Sequence, residues 1–158
     1  MALEIERKFL VDTSKWTPAD KGTRIIQAYL GLDPSPTVRI RVAGDKAFLT
    51  IKGRSKTISR PEFEYEVPVE DAFELLKLSI SGPVEKTRYE VWHEGFLWEV
   101  DVFLGKNEGL VMAEIELDSE NQEFPQPDWL LQEVSSDGRF YNSYLSGHPF
   151  QEWSNGMA

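Results

Sequence analysis

Charged side chains recur at two-residue spacing along this chain: Glu4, Glu6 and Lys8; Arg39 and Arg41; Glu62 and Glu64; Lys86 and Arg88; Glu114 and Glu116. Lys52 and Asp101 lie in segments of similar alternation. In an extended chain, residues i and i+2 point the same way, so each set shares one face of a strand. Like charges so placed lie ~7 Å apart and repel unless something of opposite sign lies between them. Paired bases suit a polyanion, because a guanidinium fork matches two phosphate oxygens. Paired acids repel that anion directly. They accept it through a hard divalent cation, which takes oxygen ligands from carboxylate and phosphate together. The inventory therefore asks for a phosphate chain with Mg2+ or Mn2+. The sequence contains no cysteine, so thiolate catalysis, disulfides and zinc–sulfur sites are excluded.

The elements that carry these residues read mostly as strands. The first ten residues alternate Glu4, Glu6 and Lys8 against Leu3, Ile5 and Phe9. Asp12-Thr13-Ser14 offers a helix cap, but Pro18 and Gly22 allow only a turn or two. Strands follow over 24–30, with Ile25, Gln27 and Tyr29 on one side, and over 38–42 and 47–52, the last two joined by a hairpin at 43–46. A loop covers 31–36, and a polar, basic, mobile loop covers 53–60. The fifth strand, 62–67, ends at Pro68, after which Val69, Ala72, Phe73, Leu76 and Ile80 take helical spacing. Strands at 85–92, 96–103 and 110–117 follow, with a turn at Glu94-Gly95. Pro127 opens a helix running through Val134, and a further helix spans Phe140–Leu145.

Eight strands and a few helices in 158 residues predict a mainly β (α+β) fold: a closed, eight-stranded antiparallel barrel with flanking helices. One domain is expected over residues 1–153, with a frayed tail at 154–158. The net charge of −10 argues against general nucleic-acid binding, although it allows a local basic pocket. No apolar run approaches a membrane span, and the first residues show no basic-then-apolar leader. A cytoplasmic setting, as a monomer or homodimer, is the expectation.

Two arrangements of the barrel compete. In one, Val38, Ile40, Val42, Phe63, Tyr65, Val67, Trp98, Val100, Val102, Val111, Ala113, Ile115 and Leu117 fill a dry interior, and the charges decorate the outside. In the other, helices cover those apolar residues and the charges line a wet central tunnel. Composition suits the first. The like-charge pairs, and the need of each amphipathic helix for an apolar sheet face, suit the second.

Glu4-Ile5-Glu6-Arg7-Lys8 resembles the ExExK signature of the CYTH superfamily, the triphosphate tunnel metalloenzymes. The resemblance continues through 38–41, 50–52, 60–64, 86–88, 99–103, 113–116 and 137–143. It implies a tunnel that binds a triphosphate and hydrolyses or transfers it. On that resemblance Lys8, Arg39, Arg41, Lys52, Lys86 and Arg88 bind phosphate oxygens, and Arg139 reaches in from the C-terminal helix. Glu114 and Glu116 hold one metal bridging the phosphates. Glu4, Glu6, Glu62 and Glu64 place a second metal or its water shell, and Asp101 orients an arginine or a metal-bound water. Chemistry is assigned to Glu4, Glu6, Lys8, Lys52 and Lys86, with two Mg2+ or Mn2+ ions. Glu66, Glu90 and Glu99 have the right parity but are read as solvated strand ends.

Members of such a family act on different triphosphates. The implied substrate is a small polyanion, inorganic tripolyphosphate first, cleaved to pyrophosphate and phosphate. A class IV-type adenylate cyclase, a thiamine or nucleoside triphosphatase, and a polyphosphate-binding module without catalysis are the alternatives. No stretch reads as a nucleobase pocket, though Trp16, Trp92 and Trp98 are available to build one.

Overall fold

The computed structural model describes residues 2–32, 36–54 and 58–153. Parts of the loops expected at 31–36 and 53–60, and the tail expected to fray at 154–158, lie outside the described residues.

Among the described residues nine strands form one antiparallel sheet. They are β1 (Ala2–Val11), β2 (Thr23–Gly31), β3 (Thr37–Ala43), β4 (Lys46–Lys52), β5 (Ser59–Val67), β6 (Val84–His93), β7 (Phe96–Phe103), β8 (Val111–Glu116) and β9 (Leu130–Glu133). The order β5-β4-β3-β2-β6-β7-β8-β1 closes because β1 also pairs with β5. Glu6–Leu10 lie against β8, whereas the start of β1 lies against β5, with Glu4 opposite Arg60. The expected eight-stranded barrel is thus present, with β9 added to it. The turn between β6 and β7 is the tight hairpin expected there, with φ of 47° at Glu94 and 87° at Gly95.

Residues directly opposite in an antiparallel pair share a face. The register therefore brings the charged positions together: Arg41 lies opposite Gln27, Lys52 opposite Glu62, Arg88 opposite Asp101, and Lys8 opposite Glu114. These side chains point inward, and the tunnel arrangement is the one adopted.

The apolar faces point outward and are covered. Helix α1 (Val69–Leu76) lays Ala72 on Ile40, Val42 and Ala47, outside β3 and β4. Glu70 and Asp71 in its first turn complement the helix dipole. It stops four residues before the expected Ile80, whose backbone N–H instead donates to Tyr29 O. On the opposite wall Trp98 is fully buried, edge-on to Phe9, Phe124 and Trp129 at 5.6–5.7 Å between ring centroids. Inside, the parity that carries charge in mid-barrel carries Leu10, Val84, Phe103 and Met112 toward one end. There they pack with Phe140 and Leu145 and fill it.

Three local expectations are corrected. The helix expected over 127–134 is a turn followed by β9. β5 covers only the first residues of β1, so the rest of that β1 edge would stay unpaired. β9 supplies the missing partner, with Val11 opposite Leu130 and Phe9 opposite Glu133. The helix expected over 140–145 begins two residues later, as α2 (Asn142–Gly147), after a 3-10 turn at Gly138–Phe140. At Asp12 the carboxylate accepts from Ser14 N and Ser14 Oγ, closing a turn with no helix after it.

Ile40 is fully buried beneath α1, so Ile40→Ala leaves a cavity that the barrel wall fills poorly. The expected cost is about 2–5 kcal/mol, read as a lower urea midpoint at an unchanged m-value.

Candidate active site

A cavity of about 470 Å3 occupies the barrel. It brings together Glu4, Glu6 and Lys8 from β1, Arg39 and Arg41 from β3, Lys52 from β4, and Glu62 and Glu64 from β5. Lys86 and Arg88 from β6 and Glu114 and Glu116 from β8 join them, leaving only Asp101 and Arg139 of the expected set outside the wall. The wall also includes Tyr29, Thr37, Arg60, Glu99, Tyr141, Asn142 and Ser143, none of them among the expected ligands. Thr37, Arg60 and Glu99 share inward parity with expected residues on their strands, so their positions are readable from spacing, whereas β2, which carries Tyr29, holds no expected ligand. Glu99 is not a solvated strand end: it lies 3.4 Å from Arg88. Glu66 and Glu90 are exposed and stand outside the cavity wall, as expected for strand ends.

Two expected residues are placed differently. Asp101 is fully buried behind the wall, not on it. Its carboxylate accepts from Arg88 Nε at 2.8 Å and Arg88 Nη2 at 2.9 Å, and pairs with Lys86 Nζ at 2.7 Å. Of the two roles considered for it, orienting an arginine is the one this geometry provides, and its oxygens are engaged where a metal would need them. Arg139 does not line the cavity. Its guanidinium donates to Asp137 and lies over the rings of Phe140 and Trp153.

Acids and bases are interleaved across the cavity. Lys52 Nζ donates to Glu4 Oε1 at 2.9 Å, Lys8 Nζ is 3.7 Å from Glu114, and Arg39 Nη2 is 3.7 Å from Glu64. The Arg39 Nε is buried without a hydrogen-bond partner, a donor poised for an anion.

The carboxyls are electrostatically divided. Burial, then the nearby Glu114, push Glu6 up to about 8. Burial also acts on Glu114, but Lys8, Arg88 and Lys86 outweigh it and hold that carboxyl well below the usual range. The two are hydrogen-bonded, so a protonated Glu6 donates to an ionised Glu114. Glu62, pushed up to about 7 by burial and Glu4, stands in the same relation to Glu4, whose own carboxyl Lys52 lowers against burial. Among the bases, burial and then Arg39 and Arg88 bring Arg41 down to about 9. Burial brings Lys86 down to about 7 against the pull of Asp101.

Among the described residues no three acidic or histidine side chains converge into a ready-made metal cage. The donor chemistry still fits Mg2+ or Mn2+. Such ions need only one or two carboxylates when a substrate phosphate and waters supply the other oxygens. Two carboxyl pairs that must share protons to coexist are sites where a divalent cation would relieve repulsion.

The CYTH domain model matches residues 2–143. An inorganic triphosphatase of Acetivibrio thermocellus is 49% identical over 154 residues, covering 97% of this chain and 99% of that protein. An inorganic triphosphatase of Nitrosomonas europaea is 37% identical over 151 residues, covering 90% of this chain and 96% of that one. The crystal structure of the inorganic triphosphatase NE1496 superposes with a TM-score of 0.65 at 34% identity, covering 92% of this chain and 95% of that one. With its ExExK strand on the cavity wall and the family model spanning nearly the whole barrel, the chain belongs to the CYTH domain family.

Proposed function

We propose that this chain hydrolyses inorganic tripolyphosphate to pyrophosphate and phosphate with the aid of Mg2+ or Mn2+. One observation carries the reading. Among the described residues, Lys8, Arg39, Arg41, Lys52, Arg60, Lys86 and Arg88 face Glu4, Glu6, Glu62, Glu64, Glu99, Glu114 and Glu116 across a single cavity. Once cations displace the protons held by Glu6 and Glu62, those bases and acids cancel. A site built only to hold an anion would carry excess positive charge, whereas a balanced one accepts a polyanion together with cations.

The bases bind and orient the phosphate chain through charge-assisted hydrogen bonds, and they neutralise charge that builds up during transfer. Arg88, gripped by Asp101 on two nitrogens, is held in one orientation. Lys86, its pKa lowered by burial, keeps its ammonium through Asp101 at 2.7 Å and offers it to the phosphates. Glu114 and Glu116, with Glu6 beside them, would hold one cation, and Glu4, Glu62 and Glu64 another. When bound, such ions supply charge neutralisation at the transferred phosphoryl group and lower the pKa of an attacking water.

Among the described residues no tryptophan offers a nucleobase a platform in the cavity. Trp16 and Trp98 are buried in the outer core, and Trp92 is exposed on β6 outside the cavity wall. Of the two aromatic rings in the cavity wall, Tyr141 already lies under Lys8 Nζ, 4.6 Å from its centroid, and beside Arg60. The relatives named as inorganic triphosphatases support the same substrate. Among the described residues no helix is long and apolar enough to cross a membrane.

The test is phosphate release from tripolyphosphate, ATP, thiamine triphosphate and pyrophosphate with Mg2+ or Mn2+. Tripolyphosphate should be cleaved fastest. Preference for ATP, or cyclic AMP as product, would replace the reading with a nucleotide enzyme, and tight binding without release would point to a binding module.

A further inference from the structure

Asn142 stands first in α2, where an asparagine ordinarily serves the helix end. Here the preceding Tyr141 occupies the cap position, no side chain caps the helix, and the Asn142 amide points into the cavity wall. Its Oδ1 accepts from Lys86 Nζ at 2.9 Å and from Gln27 Nε2 at 3.1 Å. Both lone pairs of that oxygen are thereby used.

The orientation of each amide follows from its neighbours. Arg41 can only donate, so its Nε at 2.7 Å fixes the oxygen of the fully buried Gln27 toward β3. The Gln27 amide nitrogen then faces Asn142, which must present oxygen in return. One carbonyl thus joins β2, β3 and β6 to the C-terminal segment. Phe140 and Leu145, each 1% exposed, anchor that segment on both sides of Asn142.

We propose that Asn142 is a positioning residue for catalysis, aiming Lys86 directly, and Arg41 through Gln27, at the phosphate chain. An ammonium has three N–H donors. Asp101 takes one from Lys86 at 2.7 Å and Asn142 takes another, leaving a single N–H directed at the cavity. Without the amide oxygen, Lys86 pivots on Asp101 alone and its free donors are no longer fixed. Gln27 also loses one of the two acceptors of its amide nitrogen, keeping only Tyr29 Oη at 3.2 Å, and its hold on Arg41 weakens with it. Misaimed donors cost more in the transition state than in the ground state, because they serve charge that develops during transfer.

The inference rests on the triphosphatase reading of the cavity. Steady-state hydrolysis of tripolyphosphate with Mg2+ is compared for wild type, Asn142→Leu and Asn142→Asp, with thermal melting of each. Asn142→Leu keeps the branched shape and loses the acceptor, so kcat should fall about tenfold to a hundredfold with a much smaller change in KM. Asn142→Asp retains an oxygen toward Lys86 and should recover most of the lost kcat. If Asn142→Leu does not fold, the smaller Asn142→Ala replaces it, with the same expected loss. A folded Asn142→Leu with wild-type kcat, or Asp and Leu variants equally impaired, would overturn the positioning role. A wild-type chain that releases no phosphate from tripolyphosphate would overturn this inference and the triphosphatase reading together, whereas an active wild type with an unaffected Asn142→Leu variant overturns this inference alone.

Discussion

Glu114→Gln is expected to lower tripolyphosphate hydrolysis by about two to three orders of magnitude while leaving the barrel folded. Glu114 faces Lys8, Lys86 and Arg88 and accepts a hydrogen bond from Glu6, so it is the acidic group most firmly held ionised in the cavity. Glutamine preserves its shape and removes the charge. If that carboxylate helps join a divalent cation to the phosphates, several kcal/mol of transition-state stabilisation disappear, at ~1.4 kcal/mol per decade of rate. Binding of tripolyphosphate without metal should survive or tighten, because one repelling carboxylate has gone. Calorimetry beside the kinetic assay separates the two effects. A Glu114→Gln variant with wild-type kcat would remove Glu114 from the chemistry.

Asp101→Asn should act on the fold instead. Asp101 is 1% exposed and neutralises the fully buried Lys86 and the partly buried Arg88. Removing its charge takes from both cations their nearest counter-ion, leaving Glu99 and Glu114 to face them beside Arg41, and breaking a buried pair in this way costs about 3–5 kcal/mol. For a chain of this size the melting temperature should fall by roughly 6–20 °C. Tripolyphosphate without added metal should restore more of that loss than it adds to wild type, because it brings negative charge to the same cations. The pH dependence has a fixed sign. Arg88 and Lys86 hold the Asp101 carboxyl below 3.8 against the opposing effect of burial, so its contribution is present above that pH and is lost as pH falls through the lowered value. Asp101→Asn should flatten that acid limb. A melting temperature within about 2 °C of wild type would show that Asp101 is not the counter-ion it is taken to be.

Most of the barrel was legible because period two is a strong signal when one face is charged and the other apolar. Glu4, Glu6 and Lys8 could not slip one residue without exchanging charge for Ile5 and Phe9. The same rule places Arg60 beside Glu62 and Glu64, and Glu99 beside Asp101. Parity alone does not distinguish a cavity wall from a solvated strand end, and Glu99, on the wall beside Arg88, is the residue for which that matters. Asp101 has cavity parity too, but its cross-strand neighbour Arg88 and the nearby Lys86 claim it first. Arg139 meets Asp137 two residues earlier in the chain at 2.7 Å, and stands outside the cavity wall.

What was not legible depends on distant partners. Pro127, Trp129, Leu130 and Leu131 suit a helix as well as a strand, and only the open edge of β1 selects the strand. Asn142 has no strand parity to mark it. Its place in the cavity comes from Phe140 and Leu145 seating in the apolar end of the barrel, a contact that joins residues far apart in sequence.

The most direct test is tripolyphosphate hydrolysis by wild-type protein stripped with EDTA. If divalent cations join the glutamates to the phosphate chain, release stops in the chelator and returns when Mg2+ or Mn2+ is added in excess. Phosphate release that continues undiminished in EDTA would contradict that arrangement.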